Sequence, residues 1–241
     1  MKLVEAGSQR GHVQEYLDMN IKGAQGKNDE LVLNQKKIDS RIVYRTVKKT
    51  MDRVFSAVAL LILSPLFLIV SLLIKHEDHG PVFYIQRRIG RNGKIFNMYK
   101  FRSMVVHADQ KIDKLADKNE VEGPMFKMRE DPRVTSIGKV IRKYSIDELP
   151  QLLNVLQGDM ALVGPRPPLE REVQDYSKYD FQRLMVTPGC TGLWQVTKRN
   201  SVGFHEMVQL DIEYIQKSSL LFDLGILFKT VKIMIKPNDA Y

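Results

Sequence analysis

From Val54 to Ile74 the chain reads VFSAVALLILSPLFLIVSLLI, a run with no charged residue and a proline at its middle. As a helix it would extend about 31 Å, enough to cross the hydrocarbon core of a bilayer. Any fold must first find a place for that surface. Pro65 cannot donate a backbone hydrogen bond, so it frees the carbonyl of Leu61 and bends a helix, while Ser64 can bond back to the preceding turn. Lys36, Lys37, Arg41, Arg45, Lys48, Lys49 and Arg53 precede the run; Lys75, Arg87, Arg88, Arg91 and Lys94 follow it. A spanning helix keeps its basic flank on one side of the membrane. Two basic flanks fit a segment that enters, breaks at Ser64-Pro65 and returns, with its freed backbone groups satisfied by Ser64 or neighbouring helices. Hydropathy alone favours the alternative, a simple transmembrane span.

The charge points the same way. With 37 Lys and Arg against 28 Asp and Glu, the chain carries +9 and implies an anionic partner. There is no zinc-finger spacing, RNP-type signature or helix-turn-helix pattern, so nucleic acid is not an expected partner. The single cysteine, Cys190, excludes an intramolecular disulfide and suits a reducing compartment. It lies in a Pro-Gly-Cys-Thr-Gly turn without an activating neighbour and reads as a small packing residue.

The chemistry concentrates in Ile141 to Pro168, IRKYSIDELPQLLNVLQGDMALVGPRPP. Asp147-Glu148 sits where a helix should begin. Ser145 with Glu148 three residues on has the form of a capping box, whereas Pro150 favours a start nearer Asp147. Either way the acids lie at the positive end of a helix dipole, which keeps a carboxylate ionised. Leu149, Leu152, Leu153 and Leu156 predict a buried face and Gly158 a stop. Two acids in a first helical turn are often only caps. Their company argues for more. Arg142 and Lys143 precede them, and Gly164-Pro165-Arg166-Pro167 follows as a stiff turn that fixes a guanidinium. Carboxylates, a divalent cation and fixed arginines are the equipment of phosphoryl chemistry.

These stretches, with KKTMDR, YKFRSM, DPRVTSIGKVIRK, PGCTGLWQV and LDIEYI in the same order, resemble the bacterial sugar transferases, the monotopic phosphoglycosyl transferases. The resemblance covers roughly residues 45–241. It implies a bacterial enzyme on the cytoplasmic face of the inner membrane, moving a hexose 1-phosphate from a UDP-sugar to a polyprenyl phosphate. In that reading Asp147 attacks the sugar-linked phosphate and expels UMP. Glu148, with Asp147, helps hold Mg²⁺, and Arg142 and Arg166 stabilise phosphate oxygens. Lys100 and Arg102 of YKFRSM read by themselves as surface cations on a strand; the resemblance turns them toward the phosphate-binding cleft. A glucose or galactose donor, and initiation of exopolysaccharide or capsule synthesis, are the implied setting. Membrane lipids are a further implied partner, and self-association is left open.

Elsewhere the chain divides into a polar extension (1–40), a basic flank with the re-entrant helix (41–75) and a cytoplasmic catalytic domain (76–241). His76-Glu77-Asp78-His79 lacks the spacing of a helical zinc pair and reads as a solvated loop. Pro81 to Met104 predicts a β-hairpin around Arg91-Asn92-Gly93. Helices are expected over Val105–Glu122, Ile137–Tyr144, Leu169–Tyr179 and Phe204–Gln216, the last offering Asp211 and Tyr214 to the cleft. Trp194 reads equally as core or as a membrane-interface anchor. Leu220–Lys236 is amphipathic, with Leu224, Leu227, Phe228, Val231 and Ile235 opposite Lys229, Lys232 and Lys236, and predicts a helix in the headgroup plane. The expected class is α+β: a mostly α-helical, membrane-associated core with a small β-hairpin, a re-entrant helix and interfacial amphipathic helices. Two other classes fit the charges alone, a peripheral anionic-lipid-binding protein and an inactive bitopic scaffold of a polysaccharide assembly complex. Neither gives SIDELPQ and GPRPP a purpose.

Overall fold

The computed structural model describes residues 32–111, 128, 130–197 and 203–235. Most of the polar extension, most of the helix expected over Val105–Glu122, and Lys236 lie outside the described residues. The fold is mostly helical, with two small sheets and one long apolar helix. In chain order it comprises α1 (Gln35–Asp39), α2 (Ile42–Asp78), β1 (Phe83–Ile89), β2 (Ile95–Phe101), α3 (Ser136–Lys143) and a 3-10 turn at Ile146–Glu148. Then follow α4 (Gln151–Gln157), β3 (Ala161–Val163), α5 (Glu170–Val173), α6 (Lys178–Phe181), β4 (Gly189–Thr191), α7 (Leu193–Thr197), α8 (Phe204–Lys217) and α9 (Leu220–Ile235).

Helix α2 contains the whole apolar run, and by length and composition it is able to cross a membrane. Its helical pattern continues through Pro65 without an intervening turn. The Ser64 hydroxyl donates to the Leu61 carbonyl at 2.8 Å, satisfying the acceptor that proline strands. The two ends of α2 pack against the same domain. Near its start, Tyr44 Oη donates to Asp223 Oδ2 at 2.8 Å and Lys48 Nζ lies 3.0 Å from the same carboxylate. Tyr214 Oη donates to Asp223 Oδ1 at 2.7 Å, tying in α8 and α9. Near its end, Val70 and Ile74 are buried with Phe101 of β2 and Ile141 of α3. Between them Leu61, Ile62, Leu68 and Ile69 stand exposed.

The expected loop at His76–His79 is instead largely the last turn of α2, and its acids bind distant groups. Glu77 Oε1 accepts from Ser136 N at 2.8 Å and caps the first turn of α3, while Asp78 is clasped by Arg102. Sequence spacing does not reveal partners that lie dozens of residues away.

The hairpin forms as expected, in a register that pairs Phe83 with Phe101 and Ile89 with Ile95. Asn92 (φ 54°) and Gly93 (φ 78°) take up the left-handed conformations its loop needs. Helix α4 departs from its predicted face: Gln151, Asn154 and Val155 are buried, whereas Leu153 is exposed. The reason is the open edge of β2. Asn154 accepts from Tyr99 N at 3.0 Å and donates to Asn97 O at 2.7 Å, satisfying backbone groups that a leucine would leave unpaired. The helix expected over Leu169–Tyr179 is split, because Ser177 and Asp180 form a capping box that starts α6 afresh. The main core joins β2, α4, β3 and α8 through Phe96, Val155, Val163, Met207, Val208 and Ile212. Trp194 packs against it. On α9 the buried positions are Asp223 and Ile226, while Leu221, Phe228 and Ile235 form an outward apolar stripe at seven-residue spacing.

Candidate active site

The acidic pair lies in the 3-10 turn before α4 rather than inside the helix. Ser145 makes no capping bond, so the capping-box reading does not hold. Ser145 takes φ +56°, a conformation that costs a non-glycine residue energy and recurs near functional sites. The turn closes through Glu148 N to Ser145 O at 3.2 Å and Leu149 N to Ile146 O at 3.1 Å. Asp147 is thereby turned inward and buried, while Glu148 keeps more than a third of its side chain open to solvent.

Cations arrive from three other parts of the chain. Lys100 on β2 pairs with Glu148 Oε1 at 2.6 Å. Arg142 from the last turn of α3 sits close enough for its charge to act on Asp147, and its buried NH1 has no hydrogen-bond partner. Arg166 and Arg88 bring their charges to bear on Glu148. Burial and the neighbouring Glu148 charge push Asp147 up to about 7, against the opposing pull of Lys100 and Arg142. Burial also works to raise Glu148, but Lys100, with Arg166 and Arg88 behind it, holds that carboxyl below its ordinary value. One carboxylate is thus firmly ionised and its neighbour is poised near neutrality, a division typical of reacting centres.

The GPRPP turn is fixed from several sides. Gly189 N donates to Pro165 O at 2.9 Å, Arg88 NH1 to Pro167 O at 3.0 Å and Ile89 N to Pro168 O at 3.0 Å. Strands β3 and β4 run parallel and bring the two glycine-containing turns into backbone contact. A Cβ on Gly189 would stand 2.0 Å from Gly164 N, so no larger residue fits there. Glu172, itself buried, lies 3.9 Å from Arg166 and 4.0 Å from Arg88, so it holds both near the turn.

Of the residues singled out from the sequence, Asp147, Glu148, Lys100, Arg142 and Arg166 come together, with Pro165 and Pro167 shaping the turn. Arg102 does not face the pair. Its buried guanidinium binds Asp78 and the carbonyls of Pro81 and Met104, and it holds the Asp78 carboxyl down at about 2. Asp211 lies behind the turn, fully buried against Arg183. Burial pushes it up to about 6 against the pull of Arg183 and Arg166. Arg183 also donates to Tyr176 Oη and to the Arg166 carbonyl, so the pair braces the turn from below. Ser64 and Pro65 lie on the exposed middle of α2. Cys190 is a neutral thiol, raised by burial and by the Glu148 charge. Sequence reasoning missed Arg88 and Arg183. The available signal for Arg88 was the Arg87-Arg88 pair on a strand, where one of two successive side chains must face inward.

The raised Asp147 carboxyl makes the folded protein's stability depend on pH. A carboxyl raised from an unfolded value near 3.9 favours the folded state only while protonated, so that contribution is lost as pH rises from about 4 to about 7. In metal-free detergent solution, Asp147→Asn is expected to melt above wild type at pH 8, by an amount on the order of 4 kcal/mol. The gap should shrink toward pH 5. Thermal melts at the two pH values check this; a gap that does not change with pH contradicts the raised value.

The sequence is similar to those of known proteins. The family model for "Bacterial sugar transferase" matches residues 43–237. The chain is 49% identical over 165 residues to the galactosyl transferase CpsE of Streptococcus agalactiae, covering 68% of this chain and 37% of that protein. It is 43% identical over 198 residues to the exopolysaccharide production protein ExoY of Rhizobium meliloti, covering 80% and 88%. It is also 43% identical over 201 residues to the undecaprenyl-phosphate galactose phosphotransferase of Salmonella typhimurium, covering 82% of this chain and 42% of that relative. The chain therefore belongs to the bacterial sugar transferase family.

Proposed function

We propose that this protein transfers a hexose 1-phosphate from a UDP-hexose to undecaprenyl phosphate in two displacements at Asp147. The observation that carries the reading is the buried Asp147 beside Glu148 in one tight turn, with Lys100 bonded to Glu148 and Arg142, Arg88 and Arg166 close enough for their charges to act on the pair. An Asp147 oxygen attacks the β-phosphorus of the donor. The anhydride bond between the phosphates breaks, and UMP leaves with the bridging oxygen and its electron pair. An oxygen of the lipid phosphate then attacks the same phosphorus, freeing the Asp147 carboxylate and forming a lipid diphosphate-linked sugar. Covalent catalysis divides one difficult displacement into two and lets a soluble nucleotide and a membrane lipid use one site in turn. The cations stabilise oxygens on which charge accumulates.

Among the described residues no three His, Cys, Asp or Glu side chains group to hold a metal. Two adjacent carboxylates do fit Mg²⁺, which favours one or two such ligands together with substrate phosphates. Glu148 and Asp147 would hold it, and when bound it would neutralise diphosphate charge. Galactose is the first sugar to test, because two of the relatives above are named for galactosyl or galactose transfer. The ExoY relative, named for exopolysaccharide production, supports a role in initiating such a polymer.

The same reading sets α2 into the inner membrane from its cytoplasmic face as a re-entrant helix bent at Ser64-Pro65. Its support is that residues on both sides of the apolar run dock on one domain, with an exposed middle between them. The apolar stripe of α9 would lie at the interface beside it. Single cysteines at positions 45 and 91, in a background lacking Cys190, should both react only from the cytoplasmic side. Labelling of position 45 from outside would show a spanning helix.

For the chemistry, the protein is incubated with Mg²⁺ and UDP-galactose or UDP-glucose labelled in the β-phosphate, without lipid acceptor. Label should remain on wild-type protein and be absent from Asp147→Asn, whose turnover should fall by roughly a thousandfold or more. Equal labelling of the two proteins, or near-normal turnover by Asp147→Asn, would overturn the assignment.

A further inference from the structure

A cavity of about 750 Å³ opens at the opposite end of α4 from the acidic pair, between the first turns of α2, the hairpin loop and Gly158. From Glu148 to Gly158 the chain advances about 15 Å at helical rise, so this space is separate from the site above. Seven basic side chains line it against two carboxylates, Asp52 and Asp159. Four of those cations, Arg45, Lys48, Lys49 and Arg53, fall within about two and a half turns before the apolar run begins.

Their bonding sorts them into two kinds. Arg45 and Arg91 share Asp39, Lys48 pairs with Asp52 and Asp223, Lys94 lies 3.4 Å from Asp159, and Arg41 donates to the hydroxyl and carbonyl of Ser218. Arg53 and Lys49 have no carboxylate within ion-pair distance among the described residues. The Nε atoms of Arg53 and Arg91 are buried without a hydrogen-bond acceptor. A buried donor left unpaired is costly, and two of them on the wall of one cation-lined cavity ask for an acceptor with several oxygens. A phosphate meets that demand, since guanidinium groups bind it with charge-assisted bonds.

We propose that this cavity is a second anion site, which takes a phosphorylated ligand through Arg53, Arg91 and Lys49. The chemistry is shared by an anionic lipid headgroup and by a free phosphate compound. Four of the cations stand where α2 turns apolar, which puts a headgroup within reach if α2 sits in the membrane as proposed above. The site does not depend on the chemistry assigned to Asp147.

The test is calorimetric titration of the detergent-solubilised full chain, in chelator, with three probes: short-chain phosphatidylglycerol, short-chain phosphatidylcholine and inorganic pyrophosphate. Wild type should bind phosphatidylglycerol or pyrophosphate saturably and phosphatidylcholine not at all. Arg53→Gln and the surface change Lys49→Gln should each weaken that binding by roughly tenfold or more, while Asp147→Asn leaves it unchanged. Because Lys49 is exposed on a helix, its variant answers even if Arg53→Gln folds poorly. Preference for phosphatidylglycerol assigns a lipid headgroup, and binding of pyrophosphate alone assigns a soluble phosphate. UMP release without anionic lipid should persist in Lys49→Gln, so loss of catalysis and loss of this site are read separately. Undiminished affinity in both Arg53→Gln and Lys49→Gln, absence of binding by either anion, or equal binding of phosphatidylcholine would overturn the proposal.

Discussion

An aspartate cannot be carried into a protein interior beside a second carboxylate at its rim unless cations meet the pair there. That requirement organises this structure. Lys100 and Arg88 arrive on the two strands of the hairpin, Arg142 at the end of α3 and Arg166 on the GPRPP turn. Each cation depends on its own support. Asn154 binds the open edge of β2, Glu172 holds Arg88 and Arg166 together, and Arg183 braces the Arg166 carbonyl. The compensation remains incomplete at Asp147, which stays near neutrality while Glu148 is ionised. A fully compensated aspartate would be a quieter structural group and a poorer candidate for reacting with phosphorus.

The second constraint is the apolar surface of α2. Its ends are locked to the domain by different means: an Asp223 centre with two tyrosines and a lysine at the start, and an apolar cluster with the Asp78–Arg102 clasp at the end. The basic residues that precede the apolar run therefore have a structural duty as well as an electrostatic one. Glu77 extends the same coupling, because it caps the helix that delivers Arg142. Changes in how α2 is held would reach the acidic pair through α3 and β2.

Much of this was legible where the signal was local. The Asn92-Gly93 pair marks the hairpin loop, and apolar periodicity marks α3, α8 and α9 to within a residue or two. Asp147, Glu148, Arg142 and Arg166 stand within one continuous stretch, so their neighbourhood in space follows from their neighbourhood in sequence. What escaped were long-range pairings. Glu77 and Asp78 read as solvated because their partners lie on α3 and just beyond the end of β2. Asn154 displaced the leucines from the buried face because a strand edge needed hydrogen bonds. The three-residue strands β3 and β4 are too short for a period-two pattern. Arg102 and Asp211 have the residue types of a phosphate site, yet each is spent on an ion pair, Arg102 with Asp78 and Asp211 in the interior with Arg183, that only the tertiary fold reveals.

The central claim is that the acidic pair acts through a covalent intermediate that forms before the lipid is engaged. Isotope exchange tests it most directly. Purified protein is held with unlabelled UDP-hexose and radiolabelled UMP, with no polyprenyl phosphate present, and the UDP-hexose is then isolated and counted. Reversible transfer to Asp147 predicts that label enters the UDP-hexose with wild type and not with Asp147→Asn. No exchange by wild type that turns over normally once lipid is added would mean that the lipid phosphate attacks the donor directly, and would contradict the account.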